Sequence, residues 1–179
     1  AEAMVVLKEL PIFSEVFSCY EVDAKSLSTI YLGPVPAIFL SVLKHNNGKA
    51  FRHAVLVTLI ARIIGAKMKL DYYDMALLCQ AALLHDIGEQ YVDAGIMQKK
   101  GSLTPEEWKC IMGHSKIGEA FINQCTNYAP EVAMAIAEHH ERADGTGYPK
   151  RLHADQISKL GNILIVSELL AGMLAKPDF

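Results

Sequence analysis

The sequence has few of the features that mark extracellular, membrane-bound or nucleic-acid-binding proteins. Its four cysteines, Cys19, Cys79, Cys110 and Cys125, are widely spaced and form no C-x-x-C pair. This spacing argues against a disulfide framework or a zinc knuckle and favours reduced thiols. The net charge of −3 shows no excess of basic residues. We therefore expect no binding to bulk nucleic acid or to an anionic membrane surface.

Long apolar runs are also missing. The longest ones are interrupted by Arg62 and Glu168, so none is predicted to span a membrane. No signal peptide, internal repeat or low-complexity tract is recognisable. Hydrophobic residues nevertheless make up 51% of the 179 residues, enough for the core of one domain. We predict a cytoplasmic globular protein.

No stretch shows the alternating pattern of a β-strand, whereas apolar residues recur at helical spacings of three and four. We therefore predict an all-α fold, with residues 1–45 as a helical N-terminal segment of unknown role and 46–179 as the main domain. Asp71 is a predicted helix cap, and Thr104-Pro105-Glu106-Glu107 is a predicted capping box. Residues 89–102 are predicted to form a connector and 141–153 a loop. The predicted helices cover 3–17, 21–31, 37–44, 51–66, 71–88, 105–125, 130–140 and 159–174.

Two motifs carry the predicted chemistry. Residues 139–149 read H-H-E-R-A-D-G-T-G-Y-P, and residues 83–88 read L-L-H-D-I-G. Imidazole beside carboxylate is typical of divalent metal ligands, and the glycines and proline indicate a sharply turning loop. Both His-containing pairs lie at predicted helix ends, where adjacent side chains can converge or divide between two metals. Glu141 and Asp144 are predicted to serve only in loop solvation or turn chemistry.

These motifs resemble those of the HD-GYP family, the metal-dependent phosphodiesterase branch of the HD-domain hydrolases. The resemblance covers roughly residues 50–174 and implies an HD-domain helical bundle. It also implies two divalent ions, iron or manganese, bridged by Asp86. Taken singly, a histidine such as His53 or His114 is more often a core or surface residue, so the metal hypothesis depends on five histidines together. The implied metal ligands are His53, His85, Asp86 and Glu168 for the first ion, and Asp86, His114, His139 and His140 for the second.

The same resemblance implies catalytic roles for Asp86 and Glu89, and substrate contacts from Arg142, Gly147 and Tyr148. Several positions depart from the family pattern. Glu89 stands where the family has lysine, so it is a rim residue, an extra ligand or base, or simply an exposed glutamate. Glu168 replaces an aspartate, the family's second aspartate becomes alanine at position 171, and the following Arg-Pro-Tyr is missing. At position 49, lysine replaces the glutamate of three-metal members, which argues against a third ion.

Three functions remain open from the sequence. The first is hydrolysis of cyclic di-GMP or a related cyclic dinucleotide, the substrate class that the resemblance implies. The second is a degenerate signalling module that binds metal, nucleotide or protein without turnover, which Glu89 and the missing arginine favour. The third, an HD phosphohydrolase for another nucleotide, is less favoured because of the G-Y-P loop. The partners expected are an upstream sensor or receiver domain, or a diguanylate cyclase.

Overall fold

The computed structural model describes residues 30–125 and 127–174. These residues contain no β-strand and only an isolated β-bridge between Asp144 and His153. The predicted all-α class is therefore confirmed. None of the helices in this part of the chain has the length and apolarity needed to cross a membrane. The helices are α1 (Pro34–Asn46), α2 (Gly48–Lys67), α3 (Tyr72–Leu84), a 3-10 helix (Ile87–Tyr91), α4 (Ala94–Met97), α5 (Pro105–Met112), α6 (His114–Asn123), α7 (Pro130–Glu138) and α8 (Lys159–Leu174).

The core lies where α2, α3, α7 and α8 pack against one another. Val57, Leu78, Ile136 and Leu164, one from each helix, are fully buried, and each such side chain stabilises the fold by about 1.5–3 kcal/mol. Helix α1 packs on α2 and contributes Leu40 to the same core. The division of the chain between residues 45 and 46 stays a prediction. The predicted helix 3–17 and nearly all of 21–31 lie outside the described residues.

Helix starts follow the predicted capping signals. The N–H of Asp74 donates to Asp71 Oδ1 at 2.8 Å, which caps α3. At α5 the N–H of Glu107 donates to Thr104 Oγ1 at 3.2 Å, and the N–H of Thr104 donates to Glu107 Oε2 at 2.7 Å. Both satisfy N–H groups that have no partner inside the helix.

The predicted single helix over 105–125 is wrong, because the chain turns at Gly113 and forms α5 and α6 as separate helices. Helix α5 has no buried residue, whereas α6 packs against α7 and the 3-10 helix. The break lets one segment stay in solvent while His114 enters the interior. The connector 89–102 also contains more structure than predicted, since the 3-10 helix and α4 lie within or overlap it.

The 3-10 helix crosses α6 at very short range. A Cβ atom on Gly88 would collide with the carbonyl oxygen of His114 and would lie 2.9 Å from the Gly118 nitrogen. Only glycine permits this approach of two backbones. The contact places Asp86, just before the 3-10 helix, beside the first residue of α6.

Candidate metal centre

The predicted ligands converge from separate helices on one end of the bundle. Both pairs lie at helix ends, as predicted, but α3 ends at Leu84 rather than at residue 88, so His85 and Asp86 follow the helix instead of forming its last turn. His139 and His140 follow the end of α7. His114 begins α6. His53 and Glu168 come from inside α2 and α8, which pack side by side.

Asp86 lies at the centre of this cluster. Its Oδ2 is 2.9 Å from His85 Nε2, while its Oδ1 is 3.5 Å from Nε2 of both His114 and His139. Two sets of candidate ligand atoms therefore share this carboxylate, with all atoms of each set within 4.8 Å of one another. One set contains His53 and His85, and the other contains His114, His139 and His140.

Glu168 completes the first set. Its Oε1 and Oε2 lie 3.0 and 2.9 Å from His53 Nε2, and Oε2 is also 3.2 Å from His85 Nε2. Burial opposes ionisation of Glu168, but His53 and His85 offset it and hold the pKa of this carboxyl well below its usual range. A carboxylate between two imidazoles is the donor set expected at a cation site.

Backbone hydrogen bonds orient the three most buried histidines in the same way. The side chains of His85, His114 and His139 are almost completely buried, and each Nδ1–H donates to the carbonyl three residues earlier. Because a neutral imidazole carries one N–H, this bond leaves the Nε2 lone pair directed into the cluster. The acceptors are the carbonyls of Ala82, Ile111 and Ile136, at 2.8, 2.6 and 2.6 Å.

This arrangement fits divalent cations. Nε2 of His85 is completely buried and faces two carboxylate oxygens, Asp86 Oδ2 at 2.9 Å and Glu168 Oε2 at 3.2 Å. Nε2 of His114 faces Nε2 of His139 at 3.1 Å, so two lone pairs would repel each other unless a proton or a cation lies between or beside them. Backbone bonds that fix the outer nitrogen are also the usual support of metal-binding histidines. The ligand roles themselves stay predictions.

The electrostatics of the cluster also favour a cation. Burial lowers the pKa of His85, yet Asp86 and Glu168 more than offset this and hold it well above its ordinary value. For Asp86, burial is offset by His85 and His139, and the pKa lies well below the usual range. A divalent cation would compete with the protons that these pairs retain.

His140 is the ligand candidate nearest the glycine-rich loop. Its ring stacks on Tyr148, with the ring centroids 4.8 Å apart and an interplanar angle of 28°. Burial, with the neighbouring His139 and His114, lowers the pKa of His140 to about 3. The imidazole is therefore neutral near pH 7, as a metal ligand requires. The Tyr148 N–H donates to the His140 carbonyl at 3.1 Å, which joins the loop to the cluster.

For Glu141 the sequence predicted loop solvation or turn chemistry, and the structure shows a buried hydrogen-bond acceptor of the loop rather than a solvated residue. Its side chain is buried, and its two carboxylate oxygens accept the N–H groups of Lys150 at 2.6 Å and Leu152 at 2.9 Å. Glu141 therefore folds the far arm of the loop back toward the dihistidine. Asp144 does perform the predicted turn chemistry, accepting the N–H of Thr146 at 3.0 Å and its hydroxyl at 2.6 Å.

Glu138 is a second residue that the sequence did not single out. It is buried before His139 and accepts both the N–H of Ser158 at 3.0 Å and the Ser158 hydroxyl at 2.6 Å. The dihistidine is thus flanked by two buried carboxylates, each holding a different part of the chain. The signal available in the sequence was the acidic residue on either side of the histidine pair.

A groove of about 760 Å³ opens beside the cluster. His140 and Glu168 contribute to its lining together with Arg142, Gly147 and Tyr148, the three predicted substrate contacts. The Arg142 side chain is exposed, and its Nε lies 3.9 Å from Asp144 Oδ1 rather than against the cluster. On the other side, a Cβ on Gly147 would lie 2.5 Å from Glu141 Cα, so the loop backbones pass in contact there.

Glu89 is partly buried near the cluster. Burial and the neighbouring Asp86 carboxylate raise its pKa to about 8. It is therefore not the freely exposed glutamate that one interpretation of the sequence allowed. Its catalytic role stays a prediction.

A helical bundle that directs histidines and a shared carboxylate into one pocket has the architecture of an HD-type domain. The family model described as HD domain matches residues 38–177, and the chain belongs to this family.

Named relatives and a solved structure agree with this assignment. The chain is 29% identical over 153 residues to the 3'3'-cGAMP-specific phosphodiesterase 3 of Vibrio cholerae, covering 86% of this chain and 33% of the relative. It is 35% identical over 112 residues to the cyclic di-GMP phosphodiesterase PdeB of Borreliella burgdorferi, covering 63% and 29%. The chain thus spans only a minor part of the length of these relatives.

The HDG"Y"P protein Bd1817 from Bdellovibrio bacteriovorus has a similar fold. The TM-score is 0.60 at 22% sequence identity, covering 93% of this chain and 54% of that one. The resemblance to HD-GYP proteins that the motifs predicted is confirmed.

Proposed function

We propose that this chain is a metal-dependent phosphodiesterase that hydrolyses cyclic di-GMP or a related cyclic dinucleotide. The observation that carries the proposal is Asp86, whose two oxygens face two separate groups of histidines. A carboxylate shared between two cations roughly 3.5–4 Å apart is the arrangement of two-metal phosphoester hydrolysis. The names of the relatives, which include cyclic di-GMP and cGAMP phosphodiesterases, support the substrate class.

His53, His85, Asp86 and Glu168 would hold one ion, and Asp86, His114, His139 and His140 the other. When bound, divalent ions supply Lewis acidity toward the phosphodiester. Iron or manganese suits a donor set that mixes imidazole with carboxylate.

The remaining roles belong to the residues around the groove. Burial and Asp86 raise the pKa of Glu89 to about 8 when no cation is bound; with divalent ions at the cluster its carboxyl would be ionised, and a carboxylate oxygen can accept a proton in acid–base catalysis. Tyr148 offers its ring and hydroxyl beside His140, and Arg142 offers a cation at the mouth of the groove. The backbone at Gly147 lets the loop approach the substrate closely.

The decisive experiment combines metal analysis with turnover. The purified protein should contain close to two equivalents of divalent metal and should linearise cyclic di-GMP. A chelator should abolish turnover, and added Mn²⁺ should restore it. Asp86→Asn should lose metal and activity together, whereas Asp155→Asn, an exposed aspartate outside the cluster, should change neither.

A degenerate binding module is the second candidate, favoured by the extra carboxylate of Glu89 beside Asp86. Two bound metals with no turnover of cyclic di-GMP or cGAMP would establish the module and refute the enzyme. We also propose that an upstream sensor or receiver domain, or a diguanylate cyclase, is a partner of this chain.

A further inference from the structure

A second cavity adjoins the metal groove. It measures about 640 Å³ and lies between the α5–α6 turn and the loop at 145–151. Thr146, Gly147 and Tyr148 line both spaces. One loop therefore separates the two cavities and touches both. We call the second one the cationic cavity, because its charged lining residues are Lys109, Lys116 and Arg151.

No acidic side chain lines the cationic cavity. Within residues 30–125 and 127–174, no hydrogen bond or ion pair neutralises the side chains of Lys109, Lys116 or Arg151. Other lysines are paired, as Lys150 is with Glu119 and Lys159 with Asp74. Three unpaired cations around one concavity, in a chain of net charge −3, create a local positive potential suited to an anion.

Glu141 holds the backbone around Arg151. Its carboxylate accepts the N–H groups of the residues on either side, Lys150 and Leu152. Arg151 between them has a φ of 56°, a left-handed conformation in which glycine is unstrained and most other residues are not. The loop therefore keeps Arg151 at the cationic cavity, where no hydrogen bond or ion pair within the described part of the chain occupies its side chain.

The lining of the metal groove includes one lysine or arginine, Arg142, whose Nε is 3.9 Å from Asp144 Oδ1. The two proposed divalent ions would be the other cations of this groove, and they would face the reacting phosphodiester. A cyclic dinucleotide carries two phosphodiester groups, each with one negative charge, and only one of them can be the group that reacts at the cluster. Further cations near the groove would stabilise the charge of the other.

We propose that the cationic cavity binds the second phosphodiester group of a cyclic dinucleotide whose first phosphodiester lies at the metal cluster. This inference rests on the proposed function. The ligand would then lie over the shared loop at 146–148, with Lys109, Lys116 and Arg151 lining the cavity that receives the distal phosphate.

Two variants test the proposal in the metal-loaded protein. In Lys109→Gln/Lys116→Gln, the Kd and KM for cyclic di-GMP should rise about tenfold, equal to ~1.4 kcal/mol. The KM for bis(p-nitrophenyl) phosphate, which has a single phosphodiester, should rise less than twofold. Added KCl should also raise the Kd of the wild type more steeply than the Kd of the double variant.

Arg151→Gly separates binding from folding. Because glycine accepts the positive φ without strain, the melting temperature should not fall, while the Kd for cyclic di-GMP rises several-fold. Lys100→Gln is the matched control, since Lys100 is exposed and does not line the cationic cavity. It should leave both constants within twofold of wild type.

The outcomes separate the two proposals. Turnover of cyclic di-GMP with an unchanged Kd and KM in both cavity variants would overturn the inference and leave the enzyme intact. This is also the result expected if a separate phosphorylated molecule or an acidic protein occupies the cavity. A Kd that responds to the cavity variants in a protein without turnover would support the inference and overturn the enzyme.

Discussion

At pH 7.5, Glu89 of the metal-free protein should carry a proton that a bound cation expels. Burial and Asp86 raise the pKa of Glu89 to about 8, so ~0.8 of the molecules are protonated there at this pH. A divalent ion beside Asp86 would reverse the local charge and lower the pKa of Glu89. Glu89→Gln keeps the shape of the side chain and removes the titration. Metal binding to the wild type should therefore release ~0.8 more protons than binding to Glu89→Gln.

The pH dependence gives the prediction a characteristic curve. For a pKa of about 8, the extra release should be nearly one proton at pH 6.5 and only ~0.2 at pH 8.5. Isothermal titration with Mn²⁺, in buffers of different ionisation enthalpy, measures the number directly. Protons released by His85 and the other ligands occur in both proteins and cancel in the difference. If wild type and Glu89→Gln release equal numbers of protons at pH 6.5 and at pH 7.5, Glu89 does not lie in the electrostatic field of the cluster.

The raised pKa of Glu89 also predicts how stability depends on pH. A carboxylate in an ion pair stabilises the fold as pH rises, whereas Glu89 should destabilise it. The folded-state pKa is raised, so the unfolded chain ionises first, and the metal-free fold loses stability as pH rises from about 4.5 to 8. Between pH 5 and 8 this loss is at most roughly 3.5 kcal/mol. Urea unfolding in EDTA should show a smaller loss for Glu89→Gln than for wild type. Glu131→Gln, at an exposed position, should follow the wild type.

Two further substitutions test the supports of the cluster. Glu141→Gln replaces one of two acceptors for the N–H groups of Lys150 and Leu152 by a donor, and should lower the free energy of unfolding by about 1–3 kcal/mol in urea titrations; an unchanged value would show that the loop does not depend on this carboxylate. Glu168→Asp shortens the side chain that reaches both His53 and His85, and should weaken the binding of one of two metal equivalents by about 10–100-fold in competition with a chelator. Equal weakening of both equivalents would mean that the two ions do not occupy the predicted sets.

The sequence predicted the parts of the molecule that depend on local signals. Capping residues at Asp71 and Thr104 mark helix starts because they satisfy N–H groups within a few residues. The pairs His85-Asp86 and His139-His140 were predictable together, since both follow apolar runs and end at turns. In the structure the three histidines lie around Asp86.

The break at Gly113 was not predictable from the same signals. Glycine inside a helical pattern is often tolerated, and the apolar spacing continues from α5 into α6. What ends α5 is tertiary contact, namely the packing of α6 on α7 and the 3-10 helix, with His114 buried and Gly88 against its carbonyl. No local pattern records a contact between segments so far apart along the chain.

Glu138 and Glu141 show why a sequence motif can be identified while the roles of its residues are not. Beside a histidine pair, an acidic residue is equally consistent with metal binding, solvation or support, and only distances choose among them. Both carboxylates are buried, belong to neither ligand set, and accept hydrogen bonds from Ser158, Lys150 and Leu152. Each accepts two hydrogen bonds, so their burial is compensated. The two glutamates therefore connect the histidine pair to the start of α8 and to the far arm of the loop. A movement of either segment would displace the histidines of the cluster.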